Sequence, residues 1–373
     1  RCETVLRKRH WLMATGGLLG ALLLAAGAVC LTSGCSTLGY YAQAVNGHLA
    51  LLQGARPVSE WTADASTPEP LRQRLQLSQR MRDFASAELK LPDNDSYRRY
   101  ADLNRSAAVW NVVAAPELGL TLKTWCFPVL GCVGYRGYYT REPAETLAAE
   151  LRAQGLETLV YGVPAYSTLG WSNWVGGDPL LNTFIHGAEI DLARLIFHEL
   201  AHQVAYAEDD TTFNESFATA VERIGGRLWL QRHGTAEARA QADLADQRRQ
   251  DFRDFTQRWR GTLLALYQGS DADAAKRARK AELMAQMRAD YQRLRAERWG
   301  GFAGYDGWFE RANNAAFAVL AAYNELVPQF EALFERSGRD FPRFYAEVQR
   351  LAALPKSGRS AALASSQTST ARN

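Results

Sequence analysis

The hydrophobic pattern changes its period along the chain. In residues 71–91 the apolar positions Leu71, Leu75, Leu77, Met81, Phe84 and Leu89 recur at helical spacing, which predicts one amphipathic helix. Residues 109–115, 132–140 and 158–163 are short runs rich in Val, Tyr and Trp, bounded by Pro and Gly, and these predict strands. Between the last two, residues 144–154, closed by Gly155, predict a helix. Past residue 188 the pattern is helical throughout: 190–207, 213–233, two long helices across 236–298 that meet at 268–273, and three more around 308–323, 325–336 and 340–353. The 236–298 hairpin carries Phe252, Phe255, Trp259, Leu263 and Leu266 on one arm and Leu283, Met287, Tyr291 and Leu294 on the other. Such stripes are packing surfaces. A small mixed sheet followed by helices defines an α+β architecture. The polar stretch 356–373, nearly free of large apolar residues, is expected to be a disordered tail.

Composition adds little to this picture, but the ends of the chain add more. With 373 residues, 47% of them hydrophobic, the chain can bury a core as one large or two modest domains. A net charge of +3 from 43 basic and 40 acidic side chains implies no nucleic-acid partner. Arg7, Lys8 and Arg9 precede an apolar run from Trp11 to Leu31 and then Thr32-Ser33-Gly34-Cys35, so residues 1–34 read as an export signal. This resembles a bacterial lipoprotein signal, although Thr32 stands where such signals usually have Leu. The resemblance implies acylation of Cys35 and a membrane anchor at the periplasmic face. Ser36 then favours the outer membrane. An uncleaved signal anchor is the alternative, because about 20 apolar residues span a bilayer. Cys126 and Cys132 remain in the mature chain, with Pro128 and Gly131 between them; in an oxidising compartment they are expected to close a small disulfide loop, the alternative being two buried thiols.

The chemistry concentrates in His198-Glu199-Leu200-Ala201-His202. Positions four apart share a helix face, so both imidazoles can point at one metal ion while Glu199 reaches the water beside it. Histidine is scarce, six in the whole chain, which makes this spacing informative. A catalytic zinc takes a third protein ligand and leaves a position for water. Glu215 and Glu222 are the candidates. They lie seven residues apart on one predicted helix, roughly 10 Å along its axis, so both cannot touch one ion. The short connection from His202 favours Glu215, near the start of that helix; Thr212 at capping-box spacing offers Glu215 a bland alternative role at the helix N-terminus.

His198-Glu199-x-x-His202 followed by Asn214-Glu215-Ser216-Phe217-Ala218 and by Glu222 resembles the gluzincin metallopeptidases. There the second helix carries Asn-Glu, whose glutamate is the third zinc ligand. The resemblance implies a zincin-like fold with zinc held by His198, His202 and Glu215, and Glu222 placed behind the ligands. Only 12 residues separate His202 from Glu215, fewer than the usual gluzincin spacer. A closer resemblance is to a family of bacterial aminopeptidases with lipoprotein signals, whose activity is inferred from the zinc motif. VWNVVAAPEL, CVGYRGYY, VPAYSTLGW, PLLNTF, HELAHQ and TTFNESFA carry that likeness over most of residues 35–335, which leaves 236–298 as a helical-hairpin insertion in a peptidase domain spanning 35–355.

In such a site Glu199 is the general base, and a Tyr or His donor stabilises the oxyanion. Tyr323 and Tyr166 are the candidates for that donor, each with packing as its alternative role. Zincins lay the substrate along a sheet edge before the metal helix, a place taken here by 158–167, so Tyr161, Val163 and Tyr166 are expected to line the cleft. Aminopeptidase action needs an acidic pocket for the substrate ammonium. The Gly-x-Met-Glu-Asn signature is absent, and Gly177-Asp178-Pro179 supplies only Asp178. The functional expectation is a zinc metallopeptidase acting on peptide or protein substrates, with aminopeptidase action first. An endopeptidase of envelope proteins and a non-catalytic scaffold lipoprotein are the alternatives.

Overall fold

A computed structural model describes residues 35–127, 131–165 and 177–365. Two compact units divide the chain, one ending at Gln53 and the other running from Gly54. The first unit contributes helix α1 (Cys35–Gln53); the expected signal, 1–34, lies outside the described residues. No helix among the described residues is long and apolar enough to cross a membrane.

The second unit begins with β1 (Arg56–Pro57), α2 (Val58–Ala63) and α3 (Glu69–Ala87). Helix α3 starts with proline in its first turn, where no amide hydrogen is needed. From the predicted stripe it buries Leu75, Met81 and Phe84. There follow β2 (Arg99–Ala101), β3 (Val109–Pro116), β4 (Trp125–Phe127), β5 (Gly131–Val133), β6 (Arg136–Tyr138), α4 (Arg141–Ala153), β7 (Leu156–Val163), β8 (Leu180–Leu181) and α5 (Asn182–Ile185). Strand β3 is central in the order β6-β3-β7, antiparallel to both neighbours, with Asn111 opposite Gly137 on one side and Tyr161 on the other. Strand β2 lies between antiparallel β1 and parallel β8. Strands β4 and β5 form a ribbon in which Cys126 faces Cys132, and the two cysteines form a disulfide. The stretch 132–140 therefore splits between two sheets instead of forming one strand. At the break, the Gly134 amide donates to Thr211 Oγ1 (3.3 Å) and not to a neighbouring strand.

The remainder is helical: α6 (Glu189–Ala201), α7 (Thr211–His233), α8 (Ala236–Gln268), α9 (Asp273–Glu297), α10 (Asp306–Arg311), α11 (Asn314–Asn324), α12 (Val327–Arg336), α13 (Phe341–Ala352) and α14 (Lys356–Ser365). Consecutive residues Val112, Val113, Ala114 and Ala115 are all fully buried, so both faces of β3 are covered. Helices α4 and α11 pack against β3 and β7, with Ala315 and Ala318 meeting Val113 and Ala115. The stripes of α8 and α9 interlock with Trp299, Phe309 and Phe317, which docks the hairpin onto α10 and α11. The result is an α+β fold with small sheets and a helical majority.

Helices α6 and α7 approach closely because α7 carries Gly225 at the contact. A Cβ there would meet Phe197 at 2.8 Å and Leu89 at 2.6 Å. Gly225→Val should therefore lower the free energy of unfolding by about 1–3 kcal/mol through overpacking, measured by denaturant titration; unchanged stability would show that the helices can move apart freely.

The C-terminal stretch departs from expectation. Residues 356–365 form α14, with Leu363 fully buried and Arg359 6% exposed. The polar composition of this segment predicts disorder, but Arg359 pairs with the buried Asp210 carboxylate and with Glu208 O in the stretch ahead of α7.

Candidate metal centre

Helix α6 opens with Glu189 and Asp191 in its first turn, where carboxylates complement the helix dipole. It buries Ile190, Ala193, Ile196, Phe197 and Leu200, which orients the opposite face. The regular helix ends at Ala201, short of the expected residue 207. His202 keeps helical angles (φ −59°, ψ −22°) and its amide bonds to His198 O at 3.3 Å, so the two imidazoles still share a face. The chain then turns back because Asn214 captures the spacer: its Oδ1 accepts from the Ala207 amide at 2.7 Å, and its Nδ2 donates to Ala207 O at 2.9 Å. Asp210, not Thr212, caps α7, accepting from the Phe213 amide at 3.1 Å. Glu215 is thus freed from a capping role.

On the other flank, Ser216 Oγ donates to Ala322 O and accepts from the Leu326 amide, both at 3.2 Å, tying α7 to the end of α11. Asn214-Glu215-Ser216 is a carboxylate held between two anchors. Asn214→Ala leaves the buried Ala207 groups unpaired and should lower stability by about 1–3 kcal/mol together with metal affinity; thermal unfolding and metal titration of one sample check both.

The three donors converge. His198 Nε2 lies 3.2 Å from His202 Nε2, and Glu215 Oε2 lies 3.4 Å from the first and 3.7 Å from the second. Tetrahedral zinc with bonds of about 2.0–2.1 Å separates its donor atoms by about 3.3–3.5 Å, so the triangle has the size of a zinc face. Glu215 Oε2 is also buried, with long contacts to the His198 and His202 nitrogens at 3.4 and 3.7 Å, a poorly satisfied carboxylate oxygen that a cation would relieve. Among the described residues, His198, His202 and Glu215 are the side chains that come together as a group able to hold a metal ion. Behind them, His198 Nδ1 donates to Glu222 Oε2 at 2.9 Å, which leaves Nε2 as the free ligand nitrogen.

A family model described as "Putative aminopeptidase" matches residues 39–363. The chain belongs to this aminopeptidase family. Membership supports peptidase activity. No curated protein and no solved structure matches.

In this aminopeptidase-family chain the electrostatics of the centre divide its groups. Burial raises Glu199 to about 7, opposed by His198 and reinforced by the charges of Glu215, Asp178 and Glu222. Burial also disfavours charge on His198, but Glu215 and Glu222 outweigh it and hold its pKa well above the ordinary histidine value. His202 is lowered to about 4, chiefly by burial. For Glu215 burial acts upward, but His202, His198 and Tyr323 overcome it and keep the carboxyl more acidic than usual.

The aromatic candidates separate. The Tyr323 ring lies against His198, centroids 6.4 Å apart and planes 18° apart. Burial first, and then Glu215, pushes its hydroxyl well above the usual value, so it is a phenol with a proton to donate. Asn313 and Asn314 fix the far end of α11: Asn313 Nδ2 donates to Thr158 O at 2.9 Å, and Asn314 Nδ2 to Pro116 O at 2.9 Å. Tyr161 projects from β7 beside Asn111 and Tyr323; burial raises its hydroxyl to about 12, opposed by its polar contacts with Asn111 and Tyr323. Tyr166 lies outside the described residues. Asp178 is buried, 1% exposed, with its charge acting on Glu199.

Tyr97 carries no motif and is seen only in the structure. It is 1% exposed, left-handed at φ 64°, and held by its amide's 2.6 Å bond to Asp178 O; its hydroxyl is unpartnered among the described residues. Burial and the charges of Glu199 and Asp178 raise its pKa well above the usual value.

Proposed function

We propose that this chain is a zinc-dependent aminopeptidase of zincin-like fold, lipid-anchored through Cys35 at the periplasmic face of the outer membrane. The observation that carries the reading is the triangle of His198, His202 and Glu215 with Glu199 on the same helix turn. A structural zinc would have no use for a general base at that position. When bound, zinc supplies the Lewis acid that polarises a peptide carbonyl and acidifies a water molecule.

The chain's own residues supply the rest. His198, His202 and Glu215 would hold the ion, and Glu222 fixes the tautomer of His198. Glu199 accepts the water's proton and returns it to the leaving amine. Tyr323, a protonated phenol beside His198 and Glu215, donates to the oxygen on which negative charge develops. Among the described residues strand β7 is paired on one side only, by β3, so a substrate backbone can add along its other edge next to Tyr161. Asp178 and Glu199 together make the region attractive to a substrate ammonium group.

The test uses two peptide sets, with free and with acetylated N-termini, digested by the purified protein before and after chelation and again after zinc is restored. Cleavage confined to free N-termini, lost on chelation and regained with zinc, is expected. Cleavage of both sets alike would favour the endopeptidase reading, and activity untouched by chelation would remove the metal from the mechanism.

A further inference from the structure

The spacer between the two metal-binding helices is gripped by the C-terminal helix. Arg359 of α14 donates through Nη1 to Asp210 Oδ2 at 3.3 Å and to Glu208 O at 3.1 Å, and through Nε to Ala352 O at 3.2 Å. Its side chain is 7% exposed and that of Asp210 8%. Lys356 Nζ donates to Asp209 O between them. On the opposite side of the spacer the Cys132 amide donates to Asp209 Oδ1. Three consecutive spacer residues, 208–210, are thus held from a segment about 150 positions downstream.

We infer that Arg359, acting through Asp210, is a positioning residue that sets Glu215 in the metal centre; the inference rests on the metallopeptidase reading. The Asp210 carboxylate is shared. One oxygen caps α7 at the Phe213 amide (3.1 Å) and the other meets Arg359 (3.3 Å), so the start of α7 is locked to α14. Glu215 follows one turn later on that helix. The donor edges of 3.2–3.7 Å leave little room for α7 to slide, and residues 203–210, ahead of α7, form no helix or strand of their own to resist such sliding. The charged contact is buried, which strengthens it and makes it directional. The C-terminal helix is therefore part of the apparatus of the centre.

Four purified proteins test this: wild type, Arg359→Met, Asp210→Asn and the double variant. Zinc affinity is read by competition with a chromophoric chelator and coordination by the visible spectrum of the cobalt-loaded protein, below the unfolding temperature of each. Asn caps a helix as well as Asp, so Asp210→Asn keeps the cap and loses the charge pairing. It carries the test if Arg359→Met fails to fold. Each single variant should lose on the order of tenfold in zinc affinity with an altered cobalt spectrum, and the double variant should lose no more than either single, as expected for one shared contact. Wild-type affinity and spectrum in a folded single variant, or additive losses in the double, would overturn the inference while leaving the metal reading intact. Absence of zinc and cobalt binding in wild type would overturn the metal reading and this inference with it.

Discussion

Glu199→Gln should lower turnover by about two to four orders of magnitude while zinc content stays at the wild-type level. Glutamine keeps the shape of the side chain and removes its capacity to take a proton. The group that could hold a metal, His198, His202 and Glu215, does not include Glu199, so metal binding should persist. The pH profile should follow the same logic. A general base works only when ionised, so activity falls on the acid side as Glu199 gains its proton. Burial, opposed by His198 and reinforced by Glu215, Asp178 and Glu222, raises this carboxyl to about 7, and a dication beside it pulls that value down. The acid limb should therefore lie at or below about 7 in the wild type, and it should be missing from the residual activity of Glu199→Gln. Steady-state rates on aminoacyl p-nitroanilides, with metal content measured on the same samples, check both points. Wild-type turnover in the variant would remove Glu199 from proton transfer.

What the sequence made legible follows from the range of the interactions involved. His198 and His202 share a face because of helical spacing alone, and the apolar stripes of residues 236–298 are the ones that interlock. Strands 109–115 and 158–163 are legible for the same reason: their β-branched and aromatic composition and their Pro and Gly boundaries are local. The end of α6 was not, because it depends on Asn214 seizing Ala207, a choice that helix propensity at 202–207 cannot reveal. Thr212 offered the better capping-box spacing, yet Asp210 caps α7 because its carboxylate also answers Arg359. The order of residues 356–365 was hidden by the same pair, since composition measures average polarity and not whether one arginine has a buried partner. With 15 tyrosines in the chain, no local signal could choose among them. Tyr323 stands at the centre because Asn313 and Asn314 pin one end of α11 to the sheet and Ser216 pins the other to α7. Tyr97 lies 102 positions before Glu199 and outside every motif, so only tertiary structure brings it near.

Glu215→Ala and Glu222→Ala should both weaken zinc binding, and by clearly different amounts. Glu222 would act on a bound ion only through His198, whose Nδ1–H it accepts at 2.9 Å. Its loss frees the imidazole to rotate and to change tautomer, which costs about 10–100-fold in affinity for partners of this kind. Glu215 contributes a donor atom, 3.4 Å from His198 Nε2 and 3.7 Å from His202 Nε2. Its removal leaves two protein ligands where a catalytic zinc uses three, so the loss should exceed about 100-fold, beyond the range of an outer partner. Removing either Glu215 or Glu222 also takes away a carboxylate that raises the His198 pKa, which makes that histidine easier to free of its proton and partly offsets each loss near neutral pH. The comparison is therefore cleanest at a pH high enough for His198 to be neutral in both variants, with chelator competition as the readout. Should Glu222→Ala prove the more damaging under those conditions, the seventh residue after Glu215 would be the ligand, and α7 would have to sit roughly 10 Å from its present register, breaking the Asn214 and Ser216 anchors that hold it.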